Sequence, residues 1–193
     1  MIFEAENEFE EQKFKDVVCL DTDLRAKSFY QCAFDRCDFT ESNFTDSKFA
    51  ECWFRQCNLS LIRLDICKLQ DVAFTECKIV GVDFSVCQSL LLEIHFENCM
   101  ISGSNFSDLK LHNTSFHKCT VKECDFVDSD LTGADFSQSD LTASLFHHTN
   151  LSKANLVDAN NFAINPLNNK LVKARVSISE ALALAKELGL FIE

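Results

Sequence analysis

Cysteine is the residue type in this 193-residue chain with the greatest capacity for chemistry: there are 11 cysteines, alongside 5 histidines. Pairs such as Cys32/Cys37 and Cys119/Cys124 could suggest a metal site. Their spacing fits no zinc pattern, however, and no histidine completes one. An odd number of cysteines without a signal peptide also argues against a disulfide framework. We therefore predict free, buried thiols, with no metal and no cofactor.

The other chemical motifs point away from catalysis. The chain has 4 glycines and no phosphate-binding glycine loop, and it contains neither G-x-S-x-G nor C-x-x-C. We expect the histidines to be solvated surface residues rather than ligands. The sequence thus predicts a binding protein that is not an enzyme, has no small-molecule substrate and does not enter a membrane.

A five-residue repeat determines which elements position these side chains. Most of the 19 phenylalanines lie on a five-residue ladder in two phases, which differ by two residues. The first phase is Phe9, Phe14, Phe29, Phe34, Phe39, Phe44, Phe49, Phe54, Phe74 and Phe84, and the second is Phe96, Phe106, Phe116, Phe126, Phe136 and Phe146. A period of five fits neither a helix nor a strand. A fixed step of this kind is typical of a solenoid, in which each unit buries its apolar side against its neighbours.

Four sides of five residues would form one coil, so repeat centres twenty residues apart should stack in columns. One predicted column is Phe14, Phe34, Phe54, Phe74, Phe96, Phe116, Phe136 and Leu156, if two extra residues form a bulge between Phe84 and Phe96. Another is Phe29, Phe49, Leu69, Leu91, Leu111, Leu131 and Leu151. The pattern predicts a four-sided all-β tube in which cysteine and other small residues occupy the position two residues before each centre and pack inside the tube.

We divide the chain into a cap segment at 1–12, a repeat region at 13–160 with its phase break near 85–95, and a cap at 161–193. Ser177 and Glu180 predict a capping box that begins a C-terminal helix, and Gly189 is expected just beyond its end. The apolar surface of this helix exceeds what closing one coil requires. We therefore favour a two-fold dimer interface over a simple cap. The expected interface residues are Ile178, Leu182, Leu184, Leu188 and Phe191.

The formal net charge of −12 argues against direct binding of nucleic acid, which requires a basic face. Acidic residues concentrate within residues 121–160, and the expected partner-binding positions are Glu123, Asp125, Asp128, Asp130, Asp135 and Asp140. The alternative is that the aspartates at the repeat position bond local backbone in turns. The bulge adds Gln88, Leu90 and Glu93 as candidate contact residues.

The run Ala134-Asp135-Phe136-Ser137-Gln138-Ser139-Asp140-Leu141-Thr142 resembles two copies of the pentapeptide repeat: a small residue, Asp or Asn, Leu or Phe, and two variable positions. The chain is thereby similar to pentapeptide-repeat proteins over residues 9–158. That resemblance implies a right-handed quadrilateral β-helix, here with a C-terminal α-helical cap.

Further segments resemble a narrower group, the topoisomerase-poison resistance proteins, which include the albicidin-resistance and microcin B17 immunity proteins. These segments are 57–62, 77–82, 134–152 and the tail from Asp158 to Gly189. The resemblance implies a cytoplasmic homodimer, joined at its C-terminal ends, that mimics DNA and protects DNA gyrase or topoisomerase IV. The quinolone-resistance branch carries sizeable loops that this chain lacks, which favours protection from a peptide-type poison. The alternative is a generic interaction scaffold without a topoisomerase role.

Overall fold

The computed structural model describes Phe3 and residues 6–190. Its backbone forms a right-handed quadrilateral β-helix of about 8 turns, followed by a single α-helix at the C-terminal end of the described residues. This confirms the predicted fold class. None of the described helices is long and apolar enough to span a membrane.

Short parallel strands form the sides of the tube. They are β1 (Glu8–Glu10), β2 (Lys13–Lys15), β3 (Ser28–Tyr30), β4 (Ala33–Asp35), β5 (Lys48–Arg55), β6 (Lys68–Thr75), β7 (Lys78–Val80), β8 (Ile94–Glu97), β9 (Met100–Ser102), β10 (Phe116–His117), β11 (Thr120–Lys122), β12 (Leu145–Phe146), β13 (Asn155–Leu156), β14 (Ala163–Ile164) and β15 (Arg175–Val176). Between them, single parallel bridges such as Asn105↔Asp125 continue the sides.

The register of these strands stacks residues of successive coils directly on one another. Phe34 pairs with Phe54 between β4 and β5, and Phe54 pairs with Phe74 between β5 and β6. We number the four faces by their buried centres: the first face holds Phe34 and Phe54, the second Phe39 and Leu59, the third Phe44 and Leu64, and the fourth Phe29 and Phe49.

Each side ends in a residue with left-handed backbone. In the first full coil these residues are Asp16, Asp21, Ala26 and Gln31, with φ of 54°, 45°, 54° and 52°. Residues other than glycine normally avoid this region because their Cβ crowds the backbone. Here, the left-handed residue recurs at the corner between one face and the next.

Stacked aromatic rings fill the tube. Phe34 and Phe54 have ring centroids 4.5 Å apart and nearly parallel planes, and Phe116 and Phe136 stack at 4.8 Å. Rings on adjoining faces meet edge to face, as Phe116 and Phe126 do at 5.6 Å. Both geometries are favourable because they bring the negative ring face towards the positive edge of a neighbour. At the N-terminal end the ring of Phe3 lies 5.0 Å from that of Phe14 and is buried.

All 11 cysteines are free and buried, which confirms the prediction made from their number and spacing. Nine of them occupy the corner position two residues before a buried face centre, Cys87 occupies the same kind of corner ahead of the bulge, and Cys19 is itself a face centre. Where another residue takes the corner, it is usually small, as with Ser42 and Ser139.

The bulge corrects one predicted column. After β6 the register changes, so that Phe74 pairs with Phe96 rather than with a residue twenty positions on. Leu91 was expected in the fourth-face column, but it is 68% exposed and has a left-handed φ of 63°. Leu92 packs partly against the core instead. The prediction for Leu91 was wrong because the extra residues project outward before the chain rejoins the tube at Ile94.

Helix α1 (Ile178–Glu187) closes the described chain. Ser177 is its N-cap residue, but the Ser177 side chain makes no capping hydrogen bond. Its hydroxyl oxygen accepts the N–H of Asp158 at 2.8 Å, so the predicted capping box was wrong. The expected stop at Gly189 is confirmed: Gly189 has a φ of 76°, and the N–H of Leu190 donates to the carbonyl of Ala185. These bonds form a Schellman motif.

Candidate functional site

The structure distributes the acidic repeat positions around the tube rather than gathering them in one patch. Asp125 precedes a centre of the third face, Asp130 one of the fourth, Asp135 one of the first and Asp140 one of the second. A step of five residues is one quarter of a coil, so neighbours in sequence lie on different faces. Glu123 occupies the corner before the third face.

Three of these aspartates bond the backbone of their own turn. The Oδ1 atoms of Asp130, Asp135 and Asp140 accept the backbone N–H two residues ahead, at 3.0 Å, 2.9 Å and 3.1 Å. Asparagines in the next coil, such as Asn150 and Asn155, also donate to Asp130 and Asp135. These contacts supply the structural role considered from the sequence, because a short polar side chain satisfies an otherwise free turn amide.

Local contacts also control the ionisation of Asp140. Burial opposes its charge, but hydrogen bonds from Asn161, Lys122 and Thr142 outweigh burial and lower the pKa of Asp140. Lys122 Nζ lies 2.8 Å from its carboxylate. For Asp130 burial likewise opposes ionisation, yet hydrogen bonds led by Thr132 and His112 lower its pKa. Both carboxylates are therefore ionised and hydrogen-bonded to neighbouring residues of the tube.

The two acidic corner residues are exposed and differ from the turn aspartates. Glu123 and Asp128 have left-handed φ of 54° and 57° and project from corners of the tube. Asp128 lies 3.4 Å from His148 Nδ1. Among the described residues, Glu123 makes no ion pair, and Asp125 is half-buried without one.

A longer acidic surface runs along the third face, through residues that are far apart in the sequence. We call it the acidic face; it consists of the outward residues of that side and its following corner, Asp23, Asp46, Asp65, Asp83, Asp108, Asp125 and Asp128. All are exposed except the half-buried Asp125. Arg25 and Arg63 also lie on this side, and Arg25 is paired with Asp23 at 2.6 Å.

The adjoining fourth face carries both signs: lysines precede several of its centres, but Asp130 lies in the same column, and Glu51 and Asp71 occupy its following corner. Lys48 and Lys68 stack in register between β5 and β6, and Lys110 continues the same column beyond the bulge. The acidic face is therefore distinguished by a column of aspartates along one side and not by a continuous segment of the chain. Sequence reasoning missed the acidic face because it counted charge in continuous windows, whereas the relevant signal recurs about once per coil.

The bulge presents apolar side chains to solvent. Of its predicted contact residues, Leu90 is exposed, Glu93 is exposed and Gln88 is half-buried. Glu93 Oε1 lies 3.8 Å from His95 Nε2. Exposed Ile66 and Val86 lie on the adjoining corner, where the N–H of Ile66 donates to the carbonyl of Val86.

The helical end also exposes apolar residues. Ile178 is 82% exposed, and Leu182 and Leu188 are largely exposed, whereas Leu184 packs partly against the core. Leu167 and Val172 of the last coil are exposed as well. Phe191, the fifth expected interface residue, lies outside the described residues.

Two histidine side chains contact oxygen groups of the following coil. His112 Nε2 is 3.1 Å from Asp130, and His117 Nδ1 is 2.9 Å from the hydroxyl of Ser137. His112 and His148 are exposed, while His95 and His117 are half-buried. Within the described residues, no three or more His, Cys, Asp or Glu side chains group in a way that could hold a metal ion.

Comparisons with known proteins place this geometry among other solved structures. Two trypsin-treated structures of QnrB1, a plasmid-mediated fluoroquinolone resistance protein, match with TM-scores of 0.71 and 0.70 at 15% and 17% identity. They cover 96% of this chain and 97% and 91% of QnrB1, respectively. HetL, involved in heterocyst differentiation in the cyanobacterium Nostoc, matches with a TM-score of 0.44 at 14% identity over 89% of this chain and 87% of HetL.

No curated protein sequence matches this chain. The profile of the pentapeptide repeat region matches residues 27–106 and 89–174, which together span most of the tube. The chain therefore belongs to the pentapeptide repeat family.

Proposed function

We propose that this protein is an acidic, rod-shaped binding protein that occupies the DNA-binding surface of DNA gyrase, or of topoisomerase IV, and protects the enzyme from a topoisomerase poison. The observation that carries the proposal is the acidic face. Its aspartates lie along one side of a straight tube, so their fields add in one direction. A surface of this kind is attracted to a basic groove that normally accepts duplex DNA.

The dimensions support the same partner. About 8 turns at about 4.8 Å per turn give a tube of about 38 Å. Two tubes joined end to end would measure about 75 Å, close to the length of about 22 base pairs at 3.4 Å each. A homodimer is therefore comparable in length to a bound DNA segment.

We also propose that the dimer forms through the helical end. Ile178, Leu182 and Leu188 are exposed there, and a contiguous apolar surface of this kind on a soluble protein is commonly an interaction site. In this proposal residues 1–12 cap the tube, residues 13–160 form the rod, and residues 161–193 join the two subunits. Sedimentation would show a dimer at micromolar concentration, and the exchange of Ile178 and Leu182 for aspartate would yield monomers.

The similarity to QnrB1 supports the functional class, because that protein is named for fluoroquinolone resistance. The similarity is one of fold, and the bulge of this chain is short. We therefore propose protection from a peptide-type poison in preference to a quinolone. The protein would act in the cytoplasm, where topoisomerases work, without a cofactor and without contacting DNA itself.

A cleavage assay with purified gyrase tests the proposal. Stoichiometric protein should reduce poison-stabilised DNA breaks, and exchanging Asp46, Asp65 and Asp108 for asparagine should raise the concentration needed by about 10-fold or more. Asparagine tolerates the left-handed corners at Asp46 and Asp108, and Asp65 is exposed, so the fold is kept. The matched control is Glu51→Gln, Asp71→Asn and Glu76→Gln, which changes the same charge on other corners and should retain protection.

Two results would oppose the proposal. One is the absence of protection by a stoichiometric excess across several poisons, which would instead favour a scaffold with another partner. The other is an equal loss in the control triple variant, because net charge alone would then explain the effect. A pull-down at two ionic strengths adds a direct measure, since steering by the acidic face predicts weaker capture at high salt.

A further inference from the structure

Five thiols stack in an unbroken row at the corner between the first and second faces. We call this row, Cys37, Cys57, Cys77, Cys99 and Cys119, the thiol column. The N–H of Cys37 donates to Cys57 Sγ at 3.4 Å, and the N–H of Cys99 donates to Cys119 Sγ at 3.4 Å. Each thiol is at most 2% exposed, and the registers of the residues that follow them, such as Asn58↔Lys78 and Lys78↔Met100, place each thiol next to that of the adjoining coil.

The spacing of the column disfavours disulfides. Stacked residues in register lie about 4.8 Å apart, and their Cβ atoms point the same way. A disulfide needs its Cβ atoms about 3.8 Å apart, so bridging two coils would require the backbone to contract locally. A linear sulphur–metal–sulphur unit is longer: with metal–thiolate bonds of about 2.3 Å it spans about 4.6 Å. The rise of the coil therefore suits a bridging metal better than a direct sulphur–sulphur bond.

We propose that adjacent thiols of the column bind soft, two-coordinate d10 cations, with mercury(II) as the best-matched case. The reaction is 2 RSH + Hg²⁺ → RS–Hg–SR + 2 H⁺, in which two S–H bonds break, two Hg–S bonds form and the protons leave to solvent. Thiolate ligands select soft metals. The product is neutral, which matters because burying an uncompensated charge is costly. Copper(I) or silver(I) would leave one negative charge per pair and should bind less tightly.

Ionisation within the column proceeds unevenly. Hydrogen bonds from the Cys37 and Cys77 thiols lower the pKa of Cys57, and those from Cys119 and Cys77 lower the pKa of Cys99. Burial raises the pKa of the isolated corner thiol Cys124, whose stacked neighbours are Ser104 and Ser144. Cys57 and Cys99, like Cys77, have a thiol on either side in the column, so each can share a cation with either neighbour.

Pairing determines how many cations the chain can hold. Five thiols in a row form two separate pairs and leave one over. Two further stacked pairs exist elsewhere. Cys52 stacks on Cys32, where the N–H of Trp53 donates to the carbonyl of Cys32, and Cys87 stacks on Cys67, where the N–H of Gln88 donates to the carbonyl of Cys67. The column should therefore supply two mercury(II) sites, and the other pairs should supply one each.

The experiment is a titration of the full, reduced chain with mercury(II) chloride in the presence of excess glutathione, followed by desalting and metal analysis. The wild type should retain about four equivalents. Cys57→Ser/Cys99→Ser isolates the remaining column thiols and should lose two equivalents. Cys37→Ser/Cys119→Ser removes as many thiols but leaves three in a row. These can form one separate pair, so this variant should lose one equivalent. Cys124→Ser should lose none.

Serine is a conservative exchange here, because Ser139 already continues the column. X-ray absorption of the loaded wild type should show two sulphur neighbours for each mercury, which tests the proposal even if a variant does not fold. Equal losses in the two double variants would overturn it, because binding would then follow thiol number alone. Three or four sulphur neighbours, or metal uptake only in denaturant, would also overturn it.

Discussion

The two halves of the tube have the same backbone but different side chains at equivalent corners. Before the bulge the corners hold thiols such as Cys57, whose Sγ donates to the carbonyl of Phe34 at 3.4 Å. After the bulge hydroxyls are more frequent, as at Ser139, whose Oγ donates to the carbonyl of Phe116 at 2.5 Å. In both cases the acceptor belongs to the centre residue of the preceding coil.

The difference shows what a corner requires. The residue is small in most cases, and a thiol or hydroxyl there also donates to the centre carbonyl of the preceding coil. A thiol stabilises the corner mainly by apolar burial, because it is a weak donor and a small hydrophobe. A hydroxyl stabilises it by hydrogen bonding. The two halves should therefore respond differently when a corner is changed and similarly when a ring is changed.

The largest effect is expected at the rings, and it should be equal in the two halves. Phe34→Ala and Phe116→Ala each remove a buried ring that stacks on two others. Each should lower the free energy of unfolding by about 3–5 kcal/mol, because the cavity cannot collapse in a continuous ladder. Urea denaturation followed by circular dichroism measures this. A loss below about 1 kcal/mol at either site would show that the ring columns are not the core.

Corner substitutions should change the free energy of unfolding by different amounts in the two halves. Ser139→Ala removes the hydrogen-bond partner of two backbone groups. These are the N–H of Cys119, which donates to Ser139 Oγ at 2.9 Å, and the carbonyl of Phe116. It should cost about 1–3 kcal/mol. Cys57→Ala removes weaker bonds and should cost about 1 kcal/mol. Ser139→Cys and Cys57→Ser serve as controls that keep a donor. Equal costs for the two alanine variants in urea denaturation would contradict the distinction.

The fold could be predicted almost completely from the sequence because one physical constraint repeats. A large apolar residue fills almost every centre and a small one fills most corners, so the positions of Phe116 and Cys119 fix the local geometry. The prediction was wrong at the bulge, where that constraint does not apply. At Leu91 the two extra residues leave several apolar side chains to compete for one column position, and Leu92 takes the inner place.

The candidate site was less predictable because charge has no such steric constraint. Asp125 and Asp130 are near in sequence yet lie on different faces, whereas Asp83 and Asp125 share a face two coils apart. The capping serine shows a similar limit: Ser177 satisfies Asp158, a residue of the tube, rather than its own helix. Tertiary contacts of this kind have no signal within a short window of sequence.

A smaller effect is expected from pH, through equivalent aspartates of the second face. Asp140 and Asp38 both have lowered pKa values, since hydrogen bonds outweigh burial, but only Asp140 also has Lys122 within 2.8 Å. A lowered folded-state pKa contributes stability above the unfolded value of about 3.9, and this is lost as pH falls below about 4. Asp140→Asn should therefore cost about 1 kcal/mol at pH 7 and less at pH 3.

Urea denaturation at both pH values measures the effect. Asn keeps the oxygen that accepts the Thr142 N–H, so the turn itself is retained. Asp38→Asn is the matched control in the other half and should show a smaller change with pH. A cost for Asp140→Asn that grows on acidification would reverse the sign and contradict the proposed role of the charge.

The smallest effect should be the same in both halves, because it concerns the backbone alone. Ala26 and Ala143 are exposed corner residues with left-handed φ of 54° and 59°. Glycine removes the Cβ crowding of that conformation, which is about 1 kcal/mol, but it gains entropy in the unfolded chain. Ala26→Gly and Ala143→Gly should each stabilise the protein by less than about 1 kcal/mol. Ala33→Gly, within β4, should destabilise it by about 0.5–1 kcal/mol. Thermal unfolding of the three variants tests this, and a stabilising effect in only one half would mean that the corners of the two halves differ in backbone as well as in side chain.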